Sequence, residues 1–285
     1  EYYGFVPLDD MKGQTKERDE AARKVQLAKS DTEIAFARKD ERALASVARR
    51  AVSVARAQTG STLLAWRTTQ AQGDKTAISL ELHVLGSQSA IAEAILLVVA
   101  NTIATESGIK DRFLSINNIG SHESSNRFVR DIGSYLRKHI ESISPTLRPR
   151  AATDPLGTLV QLIEKGHPAA PRAPQSMEYL TEDERRKFWD LLEYLEVFGL
   201  PYELSPHVLG SRDCWAHSMY EIASTDEESG ARVGFALGGR YDPLATRFAA
   251  KHIPAAMISI SCEVRGKTAY KKENRAMPSI YFAHL

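Results

Sequence analysis

The stretch that decides the fold is G-F-A-L-G-G-R-Y-D-P-L, at residues 234 to 244. Its apolar residues are typical of a strand, and its two adjacent glycines let a ligand or another backbone approach closely. Arg240 and Asp242 then place opposite charges within one turn. Two interpretations follow from this motif alone. Arg240 and Asp242 either pair with protein groups at a tight strand-to-helix turn or bind a ligand, and the motif favours the pairing.

A second stretch, L-G-S-R-D-C-W-A-H-S-M-Y-E-I at residues 209 to 222, stands just before the first. Asp213, Trp215, His217 and Glu221 are spaced as alternate residues of a strand, so we expect them to share one face. An acid beside an aromatic ring can hold an ammonium group. The spacing around His217 does not match that of a usual zinc site. This stretch therefore predicts a polar site on a sheet, without a metal.

The composition predicts a soluble, globular protein. The chain has 285 residues, 43% of them apolar, which is enough for a substantial core in one large domain or two ordinary ones. The longest apolar run, Ile95 to Ala100, is far shorter than the roughly 20 residues that span a bilayer, so no membrane segment is expected. The net charge of +1 gives no overall field for nucleic acid. Two cysteines, Cys214 and Cys262, favour a reducing compartment, and we expect the cytoplasm.

Hydrophobic periodicity predicts an α/β (α+β) fold with an antiparallel sheet. Thr62 to Trp66 and Ala77 to Leu85 are predicted to pair as a hairpin, because the polar connection Gln70 to Lys75 contains a glycine. Helices are predicted at 17–29, 40–57, 89–106, 121–140, 156–165 and 181–198. Further strands are predicted at 113–119, 218–223, 232–237 and 255–264. The region from about 120 to 195 is expected to be a helical insertion into the sheet.

Two helix starts carry recognisable capping residues. Ser121 is suited to cap the helix that follows it. Thr181 with Glu184 three positions later forms a capping box. The predicted apolar face of that second helix consists of Leu191, Leu192, Leu195 and Phe198.

In this order, these stretches resemble the catalytic region of class II aminoacyl-tRNA synthetases, specifically the histidyl-tRNA synthetase group, from about residue 40 to the end. L-G-G-R-Y-D-P-L at 237–244 looks like the family's G-G-G-R-Y-D-G-L, and 209–222 is similar to its L-V-R-G-L-D-Y-Y-T-x-T-x-F-E-I. The segments at 82–95 and 253–264 are similar to the ends of the second and third class-defining motifs. L-S-I-N-N-I-G-S-H-E at 114–123 is similar to the opening of the helical insertion. The resemblance implies a class II antiparallel sheet flanked by helices, usually in a homodimer.

The resemblance also implies a site that activates histidine with ATP and transfers it to tRNA. Arg67, in L-A-W-R-T-T, matches the arginine of the second motif, and Lys75 lies at a further ATP-binding position. The early acid-bearing motif, L-R-P-E-x-T, falls near Asp40 and Glu41. The residues expected to bind the amino acid are Asp213, Trp215, Arg240, Tyr241 and Asp242. Tyr241 is expected to border a cavity large enough for an amino acid.

Several ATP-binding positions depart from the family pattern. Thr69 stands where the family has an adenine-orienting glutamate, and Ala77 replaces the ring that stacks on adenine. Val264 replaces the third motif's arginine. Gly210 replaces another arginine, with Arg212 displaced by two positions. Contacts to a developing oxyanion are each worth roughly 3 to 4 kcal/mol, so we predict that aminoacyl-adenylate formation is lost and that no nucleotide is held beside Thr69 and Val264.

We therefore predict a histidyl-tRNA synthetase-like paralogue that acts as a regulatory or sensor pseudo-synthetase. Histidine, tRNA or a protein are its expected partners, and no cofactor is expected. Two alternatives stay open: an active histidine–tRNA ligase, which would need ATP and Mg, and a scaffold that serves dimerisation alone. Pro278 to Leu285 resembles the first strand of an anticodon-binding domain, so residues 277–285 are expected to begin such a domain.

Overall fold

A computed structural model of the chain describes residues 3–11, 37, 41–57, 62–70, 77–226 and 229–263. Three sequence predictions lie outside these residues. They are the helix at 17–29, the structure of the connection within 71–76, and the start of an anticodon-binding domain at 277–285.

The described residues form eight strands and seven α-helices. The strands are β1 (Val6–Pro7), β2 (Leu63–Gln70), β3 (Ala77–Leu85), β4 (Arg112–Asn118), β5 (Tyr202–Leu204), β6 (Ala216–Thr225), β7 (Arg232–Arg240) and β8 (Ala255–Glu263). The α-helices are α1 (Glu41–Ala57), α2 (Ala90–Glu106), α3 (His122–Lys138), α4 (Arg148–Thr153), α5 (Pro155–Glu164), α6 (Glu182–Val197) and α7 (Asp242–Ala249). The α/β fold predicted from the sequence is confirmed.

The strands make one eight-stranded sheet in the order β1-β2-β3-β8-β7-β6-β4-β5. The predicted hairpin is confirmed, because β2 pairs antiparallel with β3 from Leu63 opposite Leu85 to Gln70 opposite Ile78. The six central strands are antiparallel to their neighbours. At the two edges, β1 runs parallel to β2 and β5 runs parallel to β4. These two edge strands were not predicted, because two or three residues are too few to show a period.

Helices cover both faces of the sheet. We call the face that carries Leu63, Leu85 and Met257 the front face; α1, α3, α4, α5 and α7 pack against it. The back face carries Val84 and Ile258 and is covered by α2 and α6. The helical insertion is therefore divided between the two faces: α3, α4 and α5 join the front core, and α6 joins the back core.

The predicted helix starts are confirmed. The Ser121 side chain accepts a hydrogen bond from the amide of Ser124 at the start of α3. At the start of α6, Thr181 Oγ1 accepts from the amide of Glu184 at 3.3 Å, and Glu184 Oε2 accepts from the amide of Thr181 at 2.8 Å. The prediction for Phe198 was wrong. This residue follows the last residue of α6, and its side chain is 44% exposed.

β6 does not follow the strand alternation that the sequence suggested. It begins at Ala216, so Asp213 and Trp215 precede it and do not share a strand face with His217 and Glu221. Ala216 pairs with Arg240 and Met219 pairs with Gly239, which leaves two extra residues, His217 and Ser218, in a bulge. His217 has a φ of +56°, a conformation that side chains other than glycine rarely adopt.

The centre of the sheet is so closely packed that β7 requires a glycine at position 238. A Cβ atom at Gly238 would lie 2.8 Å from the Cα of Ile258 and closer still to the carbonyl of Met257 and the ring of Tyr220. We expect Gly238→Ala to lower the free energy of unfolding by about 1 to 3 kcal/mol, because the backbone cannot give way cheaply. Urea unfolding followed by circular dichroism measures this change.

Gly133→Ala is the matched control for this substitution. Gly133 lies within α3, and its added Cβ would approach nothing nearer than Pro155 Cγ at 3.5 Å. This variant should be more stable than the parent by about 0.5 to 1 kcal/mol, as alanine is in a helix. Unchanged stability of Gly238→Ala would show that the sheet is looser at this point than the structure indicates.

Candidate functional site

A cavity of about 230 Å³ opens on the front face, between α1 and the sheet. We call it the front cavity. Its polar lining consists of hydroxyl and carboxylate groups: Thr69, Ser79, Glu81, Glu221, Ser259 and Ser261. Trp215 and Phe235 add aromatic surface. Among the residues that the structure describes, this lining includes no lysine or arginine, so the cavity favours a cation over an anion.

Three charged or polar side chains next to this lining have buried atoms with no hydrogen-bond partner in the described part of the chain. These atoms are Arg67 Nε, Glu81 Oε2 and His83 Nε2. Arg67 Nε lies 3.3 Å from Asp9 Oδ1, near enough for an ion pair although the two are not aligned for a hydrogen bond. Buried polar atoms are normally paired, so each orphan marks a place where a ligand or water could bind.

Burial shifts the ionisation of two of these side chains in opposite senses. Burial raises the pKa of Glu81 to about 7, and the nearby Arg67 only partly opposes this effect. Burial lowers the pKa of His83 to about 3, and Arg67 lowers it further. The His83 imidazole is therefore neutral near pH 7, with Nδ1 located 3.1 Å from the hydroxyl of Tyr241. Glu81, in contrast, can gain or lose a proton near neutral pH.

The acid at the start of α1 is already engaged by protein groups. Glu41 Oε1 accepts hydrogen bonds from the amide of Ser211 at 2.6 Å and from Trp215 Nε1 at 3.1 Å. Glu41 Oε2 accepts from the amide of Ala37 at 2.6 Å. The carboxylate is fully buried, so it holds the Trp215 wall of the cavity in place rather than facing a ligand.

Arg240 and Asp242 pair with each other, as the motif favoured. Arg240 Nε lies 2.9 Å from Asp242 Oδ2, and Nη2 lies 3.1 Å from Oδ1. Arg240 Nη1 also donates to Glu93 Oε2 at 3.0 Å. Arg240 is only 5% exposed. The two carboxylates neutralise its charge and fix the end of β7.

The structure does not bring the predicted amino-acid-binding residues together. Trp215 lines the front cavity, but Arg240 and Asp242 line a second cavity, which involves the back face. Asp213 lines neither of these two cavities. Tyr241 is fully buried and also lines neither, so its role in binding an amino acid stays a prediction. The reason is local: β7 ends and α7 begins within these three residues, so consecutive side chains point different ways.

Thr69 lines the front cavity, whereas Lys75 and Val264 lie outside the described residues. Sequence reasoning missed Glu81 and His83, which share a face of β3 with Ser79. The alternation of A-I-S-L-E-L-H-V-L in β3 contained the signal, because these three polar residues fall on one face of a strand whose other face is apolar.

Comparisons with known proteins bear on this site. A scan against protein-family models finds no match. The chain is 27% identical over 197 residues to a histidine–tRNA ligase of Bacillus subtilis, covering 69% of this chain and 46% of that protein. It is 29% identical over 184 residues to a histidine–tRNA ligase of a Cyanothece species, covering 65% of this chain and 42% of the relative. The chain thus spans less than half the length of these relatives.

The fold is also shared with a solved structure. Histidyl-tRNA synthetase from S. aureus in its apo form superposes with a TM-score of 0.60 at 18% identity, over 75% of this chain and 53% of that one. Sequence similarity and fold together show a class II core like that of histidyl-tRNA synthetases.

The described residues contain neither a membrane-spanning helix nor a metal-binding cluster. None of their helices is long and apolar enough to cross a bilayer. No group of three or more histidine, cysteine, aspartate or glutamate side chains within that part of the chain is arranged to hold a metal ion.

The raised pKa of Glu81 makes stability depend on pH. The carboxyl has a pKa of 4.5 when unperturbed and about 7 when folded, so the folded state binds more protons between these values and stability falls as the pH rises. The full shift, from 4.5 to about 7, corresponds to roughly 3 kcal/mol. We expect Glu81→Gln to be more stable than the parent at pH 8 by about this amount, and by much less at pH 4.5, in urea unfolding.

Glu164→Gln supplies the control, because Glu164 is exposed at the end of α5 and lies outside both cavities. Its stability difference from the parent should be the same at both pH values. A difference for Glu81→Gln that does not grow between pH 4.5 and pH 8 would show that Glu81 ionises like an exposed carboxyl.

Proposed function

We propose that this histidyl-tRNA synthetase-like protein does not form an aminoacyl-adenylate and acts as a regulatory or sensor subunit. It binds a small ligand with an ammonium group in the front cavity, and histidine is the first candidate because of the similarity to histidine–tRNA ligases. The observation that carries the proposal is the lining of this cavity. It includes two carboxylates, those of Glu81 and Glu221, and four hydroxyls, and none of the described residues that line it is a lysine or an arginine.

Charge argues against ATP in this cavity. Transfer chemistry at a phosphate needs cations that hold the triphosphate and offset the charge of the transition state. Glu81 and Glu221 would repel a triphosphate. Arg67, the arginine that matches the second motif, is paired with Asp9 at 3.3 Å, which reduces its attraction for an anion.

The volume of the front cavity also favours an amino acid over a nucleotide. The volume of about 230 Å³ is below the roughly 300 to 1,000 Å³ typical of small-molecule sites. An amino acid is a small ligand for which such a cavity is adequate, whereas a nucleotide is much larger. Because Trp215 is fixed by its hydrogen bond to Glu41, the cavity cannot widen on that side without breaking a buried contact.

A second candidate function, an active histidine–tRNA ligase, is favoured by one observation. Arg67 keeps the position of the second motif's arginine on β2, beside β3 and the cavity wall. In this alternative, ATP and Mg would displace Asp9 from Arg67 and engage that guanidinium.

The regulatory proposal includes a partner. A sensor of histidine must report to another molecule, so we propose a tRNA or protein partner and a homodimeric assembly in the cytoplasm. The third alternative, a dimerisation scaffold, requires no ligand in the front cavity.

Isothermal titration with histidine and with ATP, together with a pyrophosphate-exchange assay, separates these three functions. We expect histidine and histidinol to bind, imidazolepropionate, which lacks the amino group, not to bind, and ATP to give neither binding nor exchange. ATP binding with pyrophosphate exchange would establish the ligase instead. Absence of binding by all four compounds would leave the scaffold.

A pair of variants tests the location of the ligand. Glu221→Gln should weaken histidine binding by about 10-fold or more, because a hydrogen bond to a charged group is worth roughly 1.5 to 3 kcal/mol. Glu203→Gln makes the same change of charge on β5 at the sheet edge, outside the cavity, and should leave affinity within about twofold. Equal effects of the two substitutions would exclude the front cavity as the histidine site.

A further inference from the structure

A second opening, larger than the front cavity, lies away from it. It has a volume of about 500 Å³ and lies where α6 and the start of α2 meet the ends of β6 and β7. We call it the back cavity. Its volume is within the roughly 300 to 1,000 Å³ typical of small-molecule sites. Nothing in the proposed function of the front cavity uses it.

α6 supplies four apolar side chains, beside charged ones, to the wall of the back cavity. Phe188 and Leu191 are buried in the back core and form the inner part of this wall. Tyr194 and Val197 continue it outwards, and Val197 is 79% exposed. An apolar ligand body that covered this wall would remove apolar surface from water, which is favourable.

The bulge in β6 turns a histidine into the back cavity. Neighbouring residues of a regular strand point to opposite faces, yet His217 and Ser218 both line this cavity because the bulge interrupts the alternation. The φ of +56° at His217 is costly for a side chain with a Cβ, and such residues are concentrated at ligand sites. The arrangement therefore presents an imidazole at a cost in backbone strain.

The His217 ring makes no hydrogen bond within the described part of the chain. Burial lowers its pKa, although Asp242 opposes this effect. A neutral imidazole has one ring nitrogen that accepts a hydrogen bond. The ring is thus an acceptor without a partner among the described residues.

Some charged groups around the back cavity pair with other protein groups, and others are exposed. Asp242 and Glu93 are both used by Arg240. The exposed carboxylates of Asp190 and Glu193 also line the cavity, and Lys187 is the neighbouring cation on α6.

A further acid of the lining, Glu184, is ionised and accepts hydrogen bonds from protein groups. Burial alone would raise its pKa, but hydrogen bonds from Ser124 and from the backbone of Thr181 and Ser121 lower it to about 2. Its oxygens accept hydrogen bonds from those donors.

The positive end of the α2 dipole is offset by Glu93 in the first turn of that helix. Together with Asp190 and Glu193, these groups leave the cavity with an excess of negative charge.

We propose that the back cavity is a second ligand site, for an organic amine with an apolar body. The body packs on Phe188, Leu191 and Tyr194, and the ammonium group donates to the His217 ring within the negative excess of the lining. An ammonium group matches the negative excess and the free acceptor of the ring together, whereas a carboxylate would be repelled by that excess.

Isothermal titration with three probes of the same shape tests the chemical class: 2-phenylethylamine, 2-phenylethanol and phenylacetate. We expect saturable binding of the amine with a dissociation constant below about 1 mM, at least 10-fold weaker binding of the alcohol, and no binding of phenylacetate. Equal binding of amine and alcohol, or absence of amine binding at millimolar concentration, would overturn the proposal.

Matched variants of α6 test the location. The double substitution Asp190→Asn with Glu193→Gln removes two carboxylates from the lining and should weaken amine binding by about 10-fold. Glu182→Gln with Asp183→Asn removes two carboxylates from the same helix outside the cavity, and should change affinity by less than about twofold. The same loss in both double variants would show a general charge effect and contradict a site in the back cavity.

Failure of this test is independent of the proposed function. The front cavity shares no lining residue with the back cavity, so the α6 substitutions should leave histidine binding in the front cavity unchanged. Retained histidine binding without amine binding would overturn only the second site.

Discussion

The guanidinium of Arg240 holds together three parts of the chain at one end of the sheet. It contacts Asp242 at the start of α7, Glu93 in the first turn of α2 and the carbonyl of Ser87 before that helix. Loss of one partner from a buried ion pair leaves a charge without compensation, which is far more costly than loss of an exposed pair. Asp242 Oδ1 also accepts from the amide of Ala255, so the same cluster fixes the start of β8.

The charged side chains of the G-G-R-Y-D segment, Arg240 and Asp242, form ion pairs within the protein. The polar lining of the front cavity consists of carboxylates and hydroxyls. Glu41 is likewise committed to two backbone amides and the Trp215 ring. Groups that could bind a substrate instead position the walls around it.

Much of the fold could be predicted from the sequence, because its signals are local. The hairpin of β2 and β3, the capping residues of α3 and α6, and the pairing of Arg240 with Asp242 each depend on residues close together in the chain. The candidate site was predicted less well, because it depends on contacts between distant residues. Trp215 is held by an acid 174 positions away, and no strand period could reveal that contact.

Other differences between prediction and structure have equally physical origins. The alternation predicted from Asp213 to Glu221 is interrupted by the bulge at His217 and Ser218. The local sequence A-H-S-M carries no signal that predicts a bulge. The division of the insertion between the two faces depends on which core each apolar helix stripe reaches. Periodicity identifies the apolar face of a helix but not the core against which that face packs.

The tripeptide from Arg240 to Asp242 places side chains on both faces of the sheet. Tyr241 is anchored by His83 in the front core, while its two neighbours are anchored at the back cavity. Any displacement that draws this tripeptide toward one face withdraws it from the other. A single peptide unit therefore joins Tyr241, in the front core, to each of two side chains that line the back cavity, and this link is covalent.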